Sequence, residues 1–306
     1  MWAKVFSDMT QSDIPAILKL ILFVILWLGF WLPIGIPIAL VLQWHPRHSI
    51  TEQQKLAFVI SLYLVVALLF WGMSQWRFLS LSSYGLTQDT ETVLRIIWGF
   101  SLGVISLIVL FWVEKRLGWL RWQESCNKPE SVISTPQFLS HLAHGSLSRQ
   151  KIGSSFLILG LGLGIAGAEE FIFRGFIQQI LVADYGMLIA TLITSSLFAL
   201  SHLIWNVRQT WAQLPGLWLM GIVLTFACIT NDGNLGFAIG VHGGWIWAMT
   251  TLEPATRLIT TGKVPGWVTG VAGQPLAGVS GVLFLLATAS LFPGIILISE
   301  KLSFLL

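Results

Sequence analysis

Charge is what this chain has least of. Of its 306 residues, only 10% are Asp, Glu, Lys or Arg, against about 25% in an ordinary soluble domain. So few charges cannot clothe a water-facing globule, and the expected class is a multi-spanning membrane protein. Cysteine is scarce too. Cys126 and Cys228 are the two in the chain, too few for a disulfide framework and without metal-ligand spacing. No His-Glu-x-x-His string occurs, so the familiar helical sign of a zinc hydrolase is missing. No basic tract with interleaved aromatics occurs either, and nucleic acid is not an expected partner. The amino-terminal stretch carries Asp8 and Asp13, and its apolar run continues too long for a cleaved leader.

What is abundant is apolar surface. Hydrophobic residues make up 55% of the chain, with a mean hydropathy of +0.78. The 16 Trp suit anchoring at a membrane interface, and Trp44, Trp76, Trp119, Trp122 and Trp205 fall near expected span ends. The apolar runs predict an all-α, polytopic transmembrane helical bundle of about eight spans. They cover 17–42, 56–73, 93–113, 154–182, 187–203, 214–229, 235–249 and 276–298. Pro33 and Pro37 are expected to kink the first span, or to divide it into two short segments. The expected organisation is a three-span region (1–113), a basic loop (114–152), a five-span core (153–298) and a tail (299–306). Lys and Arg favour the loops after the first, third, fifth and seventh spans. The positive-inside rule then puts the 114–152 loop in the cytoplasm and both termini outside. The expected setting is a lipid bilayer.

One stretch breaks the apolar pattern. Gly167-Ala168-Glu169-Glu170-Phe171-Ile172-Phe173-Arg174 puts three charges inside the fourth span. Each costs roughly 2.5–3.5 kcal/mol at a membrane helix centre. On a helix Glu170 and Arg174, four apart, lie on one side and can pair. Glu169 points about 100° away, which leaves its carboxylate for other work. His202 and His242 are the other ionisable residues within the C-terminal spans. One Glu and two His from three helices can converge in a bundle. Glu169 would then take a proton from water, His202 would hold that water, and His242 would donate to the oxyanion. Glu169 would pass the proton to the leaving amine. Competing readings are histidines that only bond across helices, and an open zinc site at Glu169, His202 and His242. Apart from that zinc alternative, no cofactor is expected. Phe198, four residues before His202, would shield the site from lipid or simply pack. Gly162-Leu163-Gly164-Ile165-Ala166-Gly167 spells G-x-G-x-x-G but follows no strand. It reads better as small residues for close helix packing, as does Gly160-x-x-x-Gly164.

At these residues the sequence resembles the CAAX prenyl protease and bacteriocin-processing family, known as CPBP or Abi. Glu169, Glu170 and Arg174 match its E-E-x-x-x-R motif, and Phe198 and His202 match F-x-x-x-H. The third motif, H-x-x-x-N or D, is matched only at His242, because Ile246 stands in its last position. The resemblance covers about 150–298, and Tyr84-Gly85-Leu86 is similar to a phrase preceding the domain in many members. The loop Thr260-Thr261-Gly262-Lys263-Val264-Pro265-Gly266-Trp267 is similar to the cyanobacterial and plastid branch. The resemblance implies a glutamate-type intramembrane endopeptidase acting on a membrane protein or peptide. It makes Glu169 and His202 the water activators and puts His242 at the oxyanion. A lost oxyanion donor costs roughly 10²–10³ in rate, and Asn206, one turn beyond His202, is a candidate replacement. Ile246 also favours a non-catalytic membrane scaffold or assembly factor that keeps the fold. A transporter with a proton relay is a third reading, weakened by the lack of a second acidic motif in the N-terminal half.

Overall fold

The computed structural model describes residues 14–45, 50–75, 80–122, 149–204, 207–256 and 258–292. Long helices dominate: α1 (Ala16–Val41), α2 (Glu52–Gln75), α3 (Thr90–Arg116), α4 (Arg149–Glu170), α5 (Gln178–Ser201), α6 (Leu214–Ile229), α7 (Gly236–Thr256) and α8 (Val279–Ala289). A π-helical segment, Phe171–Ile177, joins α4 to α5. Among the described residues, five helical stretches are long and apolar enough to cross a membrane. The chain is an all-α, polytopic bundle. Its outward faces carry Ile25, Leu40, Leu64, Trp98 and Leu188, all exposed, as a lipid solvent allows. In lipid every backbone group must be satisfied within the chain, which is why helices make up nearly the whole fold.

One of those stretches, Ser155–Ile204, is 50 residues long and doubles back. Gly186 sits at φ 73°, ψ 168°, a conformation that a side chain rarely tolerates. Beyond it, Phe198 packs edge-on against Phe173 at 5.3 Å. The expected break between the fourth and fifth spans therefore falls at Gly186. The first span is one of the two alternatives expected. α1 continues through both Pro33 and Pro37 as one helix and is not divided. Membrane helices tolerate such prolines because neighbouring groups re-satisfy the freed carbonyls.

Two helices are locked by small residues, though not those expected. A Cβ on Gly99 or Gly103 of α3 would lie 2.3 Å from Phe237 O or 2.4 Å from Val241 O of α7. A Cβ on Gly240 or Gly244 of α7 would lie 2.2 Å from Ile96 O or 2.6 Å from Phe100 O. The backbones thus touch, and α7 is held in register with His242 turned inward. By contrast, Gly160, Gly164 and Gly167 have nothing within 4 Å of an added Cβ, and of the expected string it is Gly162 that packs on α7, where a Cβ would lie 3.6 Å from Gly243 O.

The N-terminal helices share one core with the rest. Phe23 of α1, Phe70 of α2 and Phe176 of the π-segment pack with ring centroids 4.8–5.6 Å apart. Asp89 caps α3, accepting from Thr92 N–H at 2.7 Å. That bond, with the Thr87 and Thr92 hydroxyls, holds its carboxyl below the usual range. In the Tyr84-Gly85-Leu86 phrase, Gly85 O accepts from Leu235 N–H at 2.9 Å, just before α7. Burial raises the Tyr84 phenol. A two-stranded antiparallel ribbon, β1 (Leu120–Trp122) with β2 (Leu258–Thr260), ties the end of α3 to the loop after α7. The all-helical expectation had no place for it. The centre of the expected 114–152 loop, the expected bend at Pro293, Asn206 and the 299–306 tail lie outside the described residues.

Candidate active site

The acidic motif sits where α4 gives way to the π-segment. Insertions of this kind inside α-helices are frequent at functional sites. Arg174 Nη1 donates to Glu170 Oε1 at 3.0 Å, so the expected i, i+4 pair forms. Arg174 Nη2 donates to Gly221 O of α6 at 3.1 Å. The guanidinium carbon lies 4.4 Å from the centroid of the Phe198 ring, a cation–π contact. Both partners are almost fully buried. At that depth a charge persists only when paired and hydrogen-bonded.

His242 joins the same group. Its Nδ1 lies 2.8 Å from Glu170 Oε1. An ionised carboxylate only accepts, so Nδ1 carries a proton. Nε2 then faces Glu169 Oε2 at 3.7 Å. That is ion-pair range but too long for a direct hydrogen bond. Glu169 itself is not free, contrary to the helical-wheel expectation. Tyr63 of α2 donates its hydroxyl to Glu169 Oε1 at 2.5 Å. Charge patterning in the C-terminal spans does not point to Tyr63, an uncharged phenol in an N-terminal one. The available signal was scarcity: the chain has 3 Tyr, and this one lies mid-span.

His202 caps the end of α5. Its Nδ1 lies 2.8 Å from Phe198 O. The carbonyl accepts, so Nδ1 is the protonated nitrogen and Nε2 carries the lone pair of the neutral ring. Phe198, fully buried, presents its ring to His202 at 4.7 Å and to His242 at 6.0 Å. It links Arg174 and both imidazoles rather than only screening lipid. Asn206 lies outside the described residues.

Two cavities meet at these side chains. The first, about 440 Å³, lies between α1, α2, the π-segment and α5, with Trp27, Lys55, Tyr63 and Phe173 in its wall. The second, about 350 Å³, lies towards α6, α7 and α8, with Gln213, His242, Ile246 and Gln274 in its wall. Glu169, His202 and Ile165 line both. The bundle therefore brings Glu169, His202 and His242, from three helices, to the wall of the second cavity. Each volume has room for several waters, at about 30 Å³ apiece. Ile246 is part of the second wall and packs on α4, 3.4 Å from where a Gly162 Cβ would stand. Among the described residues, no group of three or more His, Cys, Asp or Glu is gathered as a metal-binding cluster.

A carboxylate with one oxygen held and the other turned towards an imidazole can accept a proton from water. A ring with an open nitrogen beside it can hold that water. Residues 151–248, roughly a third of the chain, match the family described as Type II CAAX prenyl endopeptidase Rce1-like. No curated protein and no solved structure matches the chain.

Proposed function

We propose that this multi-pass membrane protein is an intramembrane endopeptidase in which Glu169 activates water, a reading supported by the match of residues 151–248 to the Rce1-like, type II CAAX prenyl endopeptidase family. The observation that carries the reading is the position of Glu169 in the walls of both cavities, with His202 also in both and His242 at 3.7 Å. The substrate is a membrane-associated protein or peptide, entering through apolar walls that suit a lipid-borne chain.

The steps follow from the proton inventory. A water held by His202 Nε2 gives a proton to Glu169 Oε2 while its oxygen attacks the peptide carbonyl carbon. The carbonyl π pair moves to oxygen, and His242, when protonated at Nε2, donates to that oxyanion. On collapse the C–N bond breaks, and Glu169 returns its proton to the leaving amine. Glu170 and Arg174 stay out of the chemistry. They hold His242 by Nδ1.

The test uses the full-length protein in liposomes with a library of farnesylated and unmodified membrane peptides, and reads cleavage by mass spectrometry. Wild type should cleave, and Glu169→Gln should lose about 10²–10⁴ in rate. If wild type and Glu169→Gln cleave equally, the role given to Glu169 fails; if wild type cleaves nothing, the enzymatic reading fails. The second reading, a non-catalytic scaffold with the protease fold, is favoured by Ile246 and gains only if wild type cleaves nothing.

A further inference from the structure

A carboxylate that takes a proton must present a defined oxygen, and a glutamate does not do so unaided. Its terminal torsion is broad and roughly two-fold, so Oε1 and Oε2 exchange freely unless something holds one of them. In this protein that partner is Tyr63, which comes from α2, outside the matched segment. Its phenol donates to Oε1 at 2.5 Å, while Oε2 faces His242 Nε2.

Tyr63 is itself fixed. Trp27 of α1 lies over its ring, with centroids 6.5 Å apart and planes 24° from parallel. Trp27 Nε1–H is tied to Leu62 O at 2.9 Å, one residue from the tyrosine. An indole anchored to the backbone of α2 therefore limits the swing of the phenol. The result is a chain of side chains across the bundle: Tyr63, Glu169, His242, Glu170, Arg174.

Resting on the peptidase reading, we propose that Tyr63 is a positioning residue: it occupies Glu169 Oε1 so that Oε2, on the His242 side, receives the proton from water. The N-terminal helices then complete the site, and the segment 151–248 alone does not hold all of its parts. Tyr63 does not replace the donor missing at position 246. Tyr63 lies in the wall of the first cavity and Ile246 in that of the second.

The experiment compares wild type, Tyr63→Phe and Glu169→Gln on one farnesylated fluorogenic peptide, chosen because wild type cleaves it. Phenylalanine keeps the ring under Trp27 and removes only the hydroxyl. The expected result is a kcat about 10–100-fold lower, KM within about two-fold, and an unchanged thermal midpoint in detergent. A Tyr63→Phe enzyme with wild-type kcat overturns the proposal while Glu169→Gln remains inactive. So does a drop in kcat that is accompanied by a lowered midpoint and restored by cooling, which marks a merely structural bond. Activity retained in Glu169→Gln instead sinks the reading that Glu169 activates water, and this proposal with it.

Discussion

His242 binds Glu170 through Nδ1 at 2.8 Å, on the same carboxylate oxygen that accepts from Arg174 at 3.0 Å. One buried oxygen therefore fixes an imidazole and a guanidinium from two different parts of the bundle. This separates two adjacent, chemically identical residues by environment. Glu170 is closed in on every side, whereas Glu169 lines both cavities.

The first prediction follows from that separation. Glu170→Gln leaves Arg174 buried without its counter-charge, which costs about 3–5 kcal/mol. It should lower the thermal midpoint and the yield of folded protein, with activity falling as a consequence. Glu169→Gln keeps a hydrogen-bonding side chain beside Tyr63. It should remove activity with the midpoint within a few degrees of wild type. Differential scanning fluorimetry on the two variants, purified side by side, checks the contrast. Equal loss of stability in both would refute the division of roles.

The contact between α3 and α7 gives the second. Gly103→Val puts a side chain 2.4 Å from Val241 O, against rigid backbone. Overpacking of this kind costs about 1–3 kcal/mol, and here the helix carrying His242 must shift to relieve it. Gly103→Val should reduce both folded yield and cleavage. Gly160→Ala and Gly164→Ala meet nothing within 4 Å and should behave as wild type, or slightly better through lower unfolded-chain entropy. Size-exclusion profiles and cleavage rates of the three variants decide it.

The residues that could be read from sequence and those that could not differ in a physical way. Glu170 with Arg174 is a local pair, fixed by helical spacing, and spacing predicts it. His202 and His242 announce themselves because ionisable groups are costly in lipid. Apolar run lengths mark the helices, and Gly186 ends one of them where expected. Tyr63 on Glu169, and the α3–α7 glycine contact, are pairings between helices distant in sequence. Periodicity carries no information on which faces meet. The G-x-x-x-G string at Gly160 and Gly164 misled for that reason: small residues permit close approach, but they do not choose the partner. The β1–β2 ribbon was hidden because three residues are too few to show alternation. At Pro33 and Pro37 the choice between one span and two short segments is not legible in the sequence, because groups in a membrane bundle can satisfy the carbonyls that proline frees.

Asp89 provides a third prediction, one of pH. Its carboxyl is held below the usual range, first by the Thr92 N–H and then by the Thr87 and Thr92 hydroxyls. A depressed value means that the ionised form stabilises the fold. That contribution is complete above the unfolded value of about 3.9 and fades as pH falls through the lower folded value. Asp89→Ala should therefore be less stable than wild type at pH 7. The difference should close only as the solution becomes more acidic than an ordinary carboxylate requires. Thermal midpoints of the two proteins along a pH series test this. A gap that stays constant down the series would mean that the cap does not act through its charge.

The last prediction concerns Ile246. It lies one helical turn beyond His242 and forms part of the second cavity's wall, where the resembled motif has Asn or Asp. In the proposed peptidase the oxyanion forms in this cavity with His242 as its donor, and an amide at 246 would add a second. Ile246→Asn replaces a branched apolar chain with a shorter polar one, beside a space of about 350 Å³, so overpacking is not a concern. The loss of Ile packing against Gly162 should cost about 1 kcal/mol, near the centre of the range for single substitutions. One oxyanion donor is worth roughly 10²–10³ in rate where it is ideally placed. A donor added without optimised surroundings should recover part of that, about tenfold in kcat with KM little changed. The same substitution in the Glu169→Gln background should give no increase, because no water is activated there. A folded Ile246→Asn protein that cleaves no faster than wild type would show that the oxyanion is already fully served without position 246, or that it does not form on the His242 side of Glu169.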